Sequence, residues 1–479
     1  MSLRRKALSG AKWSGASSIS LAVIQLLQIT FLARVLAPAD FGLSALALVV
    51  IGLVQSYADL GLSAAIVHRQ DATREQLSSL YWLNLFAGLA GLVVVVAAAG
   101  PLALLLGNPG LEAVIRWSAV ALPVAALGQP FAMQLQRDLR FGILAASDGV
   151  FSLTMFAFAV TFAAHGSGVY SLVWGQLAGA TARSLFLCVP GLMLYKPLLR
   201  AHMGNLSGFV RFGAYQMGER TINFLGFNLD KLLIGGLIGV QSLGYYNLAY
   251  QLMSKPMQIL IPVVTRVAFP LFARLQHDDA RLRDGYLDIM RLVGSAMFPI
   301  YAGMIVLAEP LVRVVLGEAW FSAVPAFRLL CVLGVFYSIG TPVGSLLLAK
   351  GRVQIGFYLN VWMILLYTLA VWIGASAGLP GVAAGLVIAT ALGLFPVGFL
   401  VRWFLVRMRP MEYLAAILPA LGCALASAAV IAVLMNALGW SGSALLEVMV
   451  MASLGAVLYL VASLVVQGRV LLGLLRRLQ

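Results

Sequence analysis

The sequence predicts an all-α, polytopic membrane protein. It should have about 14 transmembrane helices, arranged as two pseudo-symmetric six-helix lobes related by a parallel repeat, plus two extra C-terminal helices. Three observations predict this. The first is composition: of 479 residues, 62% are hydrophobic and only 10% charged, and the mean hydropathy is +0.97. A soluble chain carries about 25% charged residues. The second is the presence of continuous apolar runs of about 20 residues, enough for a helix to cross the hydrocarbon core. Membrane β-strands would instead show short alternating segments. The third is a series of internal matches that relates the first six runs to the next six.

The spans fall near residues 14–36, 43–67, 78–106, 112–134, 143–164, 169–190, 213–238, 244–272, 287–309, 321–348, 355–375, 380–405, 413–436 and 444–466. Lys and Arg collect at the N-terminus, in the loops near 68–77, 135–142, 195–212, 273–286, 349–353 and 406–412, and in the C-terminal tail. The alternate connections (APADFG, GNPGLE, HGSG, GVQS, GEAWFS, AGLPG and ALGWSGS) contain neither. The positive-inside rule then puts both termini in the cytoplasm. The net charge of +15 reflects these loops and does not point to nucleic acid. Met1–Lys12 reads as a basic cytoplasmic flank, and the first apolar run is too long for a cleavable signal. The tail 467–479 is basic and amphipathic, and serves as an orientation signal or as a surface for the anionic inner leaflet.

This gives an N-terminal lobe at 1–195, a C-terminal lobe at 196–408, and a final segment at 409–479 with the last two helices and the basic tail. No connection is long enough for a nucleotide-binding domain, and no GxxxxGK[ST] motif occurs. Energy must come from an ion gradient, a substrate gradient or a separate subunit. Cys188, Cys331 and Cys423 lie in apolar segments without CxxC or metal spacing, so no metal and no cofactor is expected.

The repeat is read from matched positions. Leu36–Gly42 parallels Ile238–Gly244 at an offset of 202. Gly107 matches Gly317, Arg116 matches Arg328, Gly128-Gln129-Pro130 matches Gly340-Thr341-Pro342, and Gly168-Val169 matches Gly381-Val382, at offsets of 210 to 213. Six spans is an even number, so both halves enter the membrane from one side. Transporters built this way hold substrate between the halves and rock them for alternating access.

Charges inside the spans are the candidate functional residues, because a charge at mid-membrane costs about 2.5–3.5 kcal/mol even on mild insertion scales. Asp230 and Lys231 lie near the middle of the seventh span. Two roles stay open for them: anion contact by Lys231 with proton carriage by Asp230, or structural pairing with neighbouring helices. Asp59 in the second span is a second candidate for ion coupling. Arg116 and Arg328 occupy equivalent places in spans 4 and 10 and are assigned to a positive cavity, since guanidinium binds phosphate and carboxylate in bidentate fashion. Arg34 and Arg313, near the outer ends of spans 1 and 9, are read as snorkelling to the interface. Glu219, Arg220 and Asp148 lie nearer the inner face, where hydration is cheap. The eighth span holds Lys255-Pro256, Pro262 and Arg266, so a bent helix with basic residues is expected there, as a gate or a fixed kink. Gln25, Gln28 and Asn84 line the cavity or join helices.

Beyond these patterns, the chain carries several longer motifs: Ser9–Ser14, Leu32-Ala33-Arg34, Thr73–Asn84 ending in LYWLN, Gly244–Tyr250 (GYYNLAY), Ile261–Val267, Gly317-Glu318-Ala319-Trp320 and Gly344–Leu347. With these the chain resembles the Wzx-type polysaccharide transporters of the multidrug/oligosaccharidyl-lipid/polysaccharide (MOP) flippase superfamily, in particular the colanic-acid and teichuronic-acid exporter group. The resemblance covers nearly the whole chain. It implies a bacterial inner-membrane flippase that moves undecaprenyl-pyrophosphate-linked oligosaccharide from the cytoplasmic to the periplasmic leaflet, between two lobes around a basic cavity. H+ or Na+ is the coupling ion it implies, and a polysaccharide polymerase and co-polymerase are candidate partners. Arg116, Arg328, Lys231 and Arg266 are then the anion contacts, and Asp59 and Asp230 the coupling candidates. No family motif fixes an ion site on either aspartate. The other readings are a lipid II flippase or a cation-coupled drug antiporter of the same superfamily, a membrane-embedded glycosyltransferase or polymerase, and a non-transporting scaffold of the assembly complex. The outer loops hold only Asp40, Glu112 and Glu318 as acids, without a DxD or paired-carboxylate motif, which argues against the enzyme.

Overall fold

The computed structural model describes the backbone of residues 21–58, 73–198, 221, 224–226, 228–439 and 442–478, and their side chains except at 58, 263, 266, 267, 353, 394–397 and 469–478. The described residues are almost entirely helical, with no strand among them. In order these are α1 (Leu21–Val35), α2 (Pro38–Ala58), α3 (Arg74–Leu105), α4 (Gly110–Ala119), α5 (Ala121–Arg137), α6 (Phe141–Ala164) and α7 (Val169–Tyr195). Next come α8 (228–237), α9 (Val240–Leu275), α10 (Asp279–Val306), α11 (Ala308–Val315) and α12 (Val324–Ala349). The chain finishes with α13 (Val353–Gly374), α14 (Gly378–Val406), α15 (Pro410–Leu438) and α16 (Ala444–Leu478).

Ten helical segments among the described residues are long and apolar enough to cross a membrane, and one of them, Gln354–Val406, contains both α13 and α14. Their outer surfaces are apolar. Val93 on α3, Leu365 on α13 and Val465 on α16 are all exposed, as lipid-facing residues are. Exposed aromatics such as Trp117, Tyr358, Trp372 and Trp403 sit near helix ends, where amphipathic rings meet the headgroups. This is a multi-pass membrane protein.

The chain forms two compact units, Met1–Asn247 and Leu248–Gln479. Each uses the same packing scheme. In the first, α6 packs on α7, α3 on α5, and α5 on α7. In the second, α13 packs on α14, α10 on α12, and α12 on α14. Turn conformations repeat as well. Gly107 and Gly317, Leu139 and Gly351, and Gly168 and Gly378 all have positive φ, at offsets of 210, 212 and 210. The conformational equivalent of Gly168 is thus Gly378, three residues before the Gly381 that sequence matching selects. Both Gly168 and Gly378 open a helix from a left-handed residue, a backbone state that only glycine adopts without strain. The second unit also carries α15, packed on α10, and α16, packed on α15. The Tyr459 hydroxyl on α16 donates to the Ser295 carbonyl on α10 at 2.9 Å.

Inside the first unit α2 and the start of α9 meet backbone to backbone. A Cβ at Gly42 would overlap the Val240 carbonyl, and a Cβ at Gly244 would overlap the Pro38 carbonyl. Gly42 pairs with Gly244, and Pro38 with Val240, at the same offset of 202. Equivalent residues therefore exchange contacts, so the crossing is locally two-fold. It also ties the first turns of α9 to the first unit. A second small-residue seam joins α6 to α7, where Gly175 and Gly179 sit against Ala159 and the Phe151 carbonyl. The start of α3 is capped locally, where Thr73 and Gln76 form a reciprocal capping box.

Replacing Gly42 or Gly244 by valine forces the crossing apart and should destabilise the protein by about 1–3 kcal/mol, as overpacking does. Thermal unfolding of the detergent-purified variants measures this, and wild-type midpoints in both would show that the two helices do not cross so closely.

Candidate functional site

Asp230 and Lys231 sit on α8, and Gly239, at φ 100°, turns the chain from α8 into α9. That turn carries Tyr246 back alongside Asp230. The tyrosine is fully buried, and its hydroxyl donates to Asp230 Oδ2 at 2.5 Å. The other oxygen, Oδ1, accepts the backbone N–H of Lys231 at 2.8 Å. Lys231 Nζ donates to Asn228 Oδ1 at 2.9 Å, and Asn228 Nδ2 donates to the Phe224 carbonyl. Both oxygens of the acid are thus engaged by donors close in the chain. Hydrogen bonds to an ionised carboxylate are short and strong, which offsets part of its desolvation. Tyr246 lies within the GYYNLAY motif, where no pattern along the chain gives it a role. Its usable signal was a tyrosine just beyond the glycine turn that follows the embedded aspartate.

The two matched arginines differ in their surroundings. Arg116 lies in the last turn of α4 and pairs with Glu112 one turn back, Nη2 to Oε1 at 2.5 Å, with both side chains partly exposed. Arg328 lies near the start of α12 and is exposed, with no carboxylate within ion-pair distance among the described residues. The asymmetry was readable: the residue four before Arg116 is Glu112, and four before Arg328 it is Val324. Arg116 belongs to the first unit and Arg328 to the second.

Other predicted residues fall as follows. Asp59, Glu219 and Arg220 lie outside the described residues, as does the side chain of Arg266. Arg34 is exposed near the end of α1. Arg313 pairs with Glu309 at 3.7 Å and sits over the Phe321 ring. Asn84 joins helices: its Nδ2 donates to the Ala126 carbonyl, linking α3 to α5. Asp148, expected to rely on hydration, pairs with Arg183 at 2.9 Å and links α6 to α7. Proline does not break α9, which runs through Pro256, Pro262 and Pro270. Two embedded features were passed over in the sequence. One is the Asp288–Arg291 ion pair on α10, at 2.7 Å. The other is Arg402, buried on α14. A lone arginine four residues inside the end of an apolar span was the signal available for it.

A family model described as a polysaccharide biosynthesis protein matches residues 31–325. The lipopolysaccharide biosynthesis protein WzxC of Escherichia coli (strain K12) is 35% identical over 386 residues, covering 80% of this chain and 78% of that protein. The teichuronic acid biosynthesis protein TuaB of Bacillus subtilis (strain 168) is 30% identical over 377 residues, covering 79% and 78%. Among solved structures, the lipid II flippase MurJ in its inward closed conformation matches with a TM-score of 0.76 at 13% identity, covering 96% of this chain and all of that one. That likeness concerns the fold.

Tyr246→Phe leaves one oxygen of Asp230 without its hydroxyl donor and should cost about 1–3 kcal/mol of stability. In a double-mutant cycle with Asp230→Ala the two losses should not add. Full additivity in thermal unfolding would mean that the two side chains do not interact.

Proposed function

The chain belongs to the polysaccharide biosynthesis protein family, and from that membership we propose that it is a flippase. Its cargo is an undecaprenyl-pyrophosphate-linked oligosaccharide repeat unit. It carries this unit from the cytoplasmic to the periplasmic leaflet by alternating access, for exopolysaccharide biosynthesis of the colanic-acid kind. The family match carries this reading, because it runs through the first repeat and well into the second. The work is transport, and no bond of the cargo need break.

The chemistry of the embedded charges supports it. A pyrophosphate moving through a membrane needs cations to replace its hydration, and guanidinium does so with paired donors. Arg328 is the strongest candidate, being exposed and without a described carboxylate. Arg116 shares its charge with Glu112 and contributes less to an anion. Lys231 and Arg266 complete the set. Asp230 and Asp59 are the coupling candidates for H+ or Na+. A proton taken up by Asp230 would weaken its charge-assisted bond from Tyr246 and loosen α8 from α9. In this reading the lobes are 1–195 and 196–408, with 409–479 appended. Both termini face the cytoplasm of a bacterial inner membrane, and a polymerase and co-polymerase receive the product.

The test is polymer export in a strain lacking the gene, complemented at matched membrane levels. Wild type should restore polymer and clear lipid-linked units from the inner leaflet. Arg328→Ala should reduce export by about tenfold or more, the effect of one charge-assisted contact, and Arg116→Ala by less. Normal export by the double variant removes both arginines from the anion path. If wild type restores no polymer but supports peptidoglycan precursor flipping, the cargo is lipid II.

A further inference from the structure

A cavity of about 300 Å³ lies among α12, α13, α14 and α15, wholly within the second unit. Its lining residues Gly344 and Asn360 are exposed and form its mouth. Ile339, Leu347 and Met363 make buried apolar walls, and Arg402 closes the inner end. Arg402 is only 5% exposed. Its Nε donates to the Tyr286 hydroxyl at 3.0 Å and its Nη2 to the Tyr413 hydroxyl at 3.4 Å. The guanidinium carbon stands 4.2 Å from the centre of the Tyr413 ring. Every one of these partners is neutral.

No carboxylate lies within ion-pair distance of Arg402 among the described residues, and Nη1 meets no acceptor there. Glu412, the acid next to Tyr413 in the chain, is engaged by Arg283 at 3.8 Å and by the backbone N–H of Arg409 at 2.9 Å. Gly398 leaves room for Nη1, since a Cβ at that position would stand 2.9 Å from it. Guanidinium cannot be deprotonated in a protein, so one positive charge persists at the end of this cavity. Two hydroxyl dipoles and a ring face lower its cost, but none of the described residues gives it a counter-charge.

The position of the charge limits what can supply one. Arg402 lies four residues before the end of α14, about 6 Å inside it at 1.5 Å per residue. The loops at that end carry Lys350, Arg352, Arg407 and Arg409, the basic side of the membrane. Basic pockets between helices on that side take lipid headgroups. The cavity is at the small end for ligand sites, which suits a headgroup and the start of its chains rather than an oligosaccharide. We propose that it holds the phosphodiester of one anionic phospholipid on Arg402, with the first methylenes of a chain along Ile339, Leu347 and Met363. None of the anion contacts assigned to the cargo lines this cavity, and the inference holds whatever that cargo is.

The experiment is phosphatidylglycerol titration into the delipidated full-length protein in maltoside micelles, read by native mass spectrometry. Two variants are compared with wild type. Arg402→Gln removes the charge. Gly344→Val fills the mouth, and a Cβ at that position meets nothing within 4 Å, so folding should be spared. Wild type should retain one lipid per chain that neither phosphatidylcholine nor inorganic phosphate displaces. Each variant should weaken it by about tenfold or more, the scale of one charge-assisted contact. Wild-type binding by Gly344→Val overturns the proposal, and it decides alone if Arg402→Gln does not fold. Equal competition by phosphatidylcholine overturns the anionic selectivity. Displacement by inorganic phosphate makes the site one for a free anion and overturns the lipid reading.

Discussion

In hydrocarbon a polar group without a partner has no water to fall back on, and each such group costs several kcal/mol. That constraint explains why the described chain is helical almost throughout, since a helix satisfies its backbone internally. It also explains why the embedded side chains are met so close to home. Asn84 finds a carbonyl on a neighbouring helix, Asp148 finds Arg183, Asp288 finds Arg291, and Asp230 finds Tyr246 just beyond the next turn. Each pair also ties one element to another or stiffens its own. A charge in such a protein is therefore as much a packing device as a chemical one. Residue type alone cannot separate the two roles.

Helix association in a membrane lacks the hydrophobic driving force available in water and leans on close van der Waals contact. Glycine supplies that contact here. The reciprocal crossing of Gly42 and Gly244 sets two backbones against each other, and the Gly175–Gly179 seam does the same for α6 and α7. At the crossing the two repeats touch through equivalent residues. A duplicated element can do this with one residue type at one position, copied twice. The same economy appears in the turns, where positive φ recurs at matched places. Leu139 is instructive, because the first copy places a leucine in the left-handed state where the second has Gly351.

The matched arginines show the limit of reasoning from symmetry. Repeat position predicts that Arg116 and Arg328 do the same thing, yet one is paired with Glu112 and the other has no described carboxylate. Electrostatics depends on neighbours within about a Debye length, and often within one helical turn. A backbone repeat preserves the position of a residue and says nothing of the residue four places before it.

The sequence by itself determined the class of fold, the helical runs, the internal repeat and the family. These depend on hydropathy, on loop charge and on short motifs, all of which are local or periodic along the chain. Even the partner of Arg116 was legible, being one turn away. For embedded charges whose partners lie on other helices, it was helix packing that settled which are satisfied and by what. It brought Tyr286, Arg402 and Tyr413 together from three helices, with 116 residues separating the first two, and opened a cavity beside them. No pattern along the chain encodes that meeting, because it arises from how helices pack sideways. Helix–helix packing in a membrane is set by the fit of whole surfaces rather than by the period of any one of them.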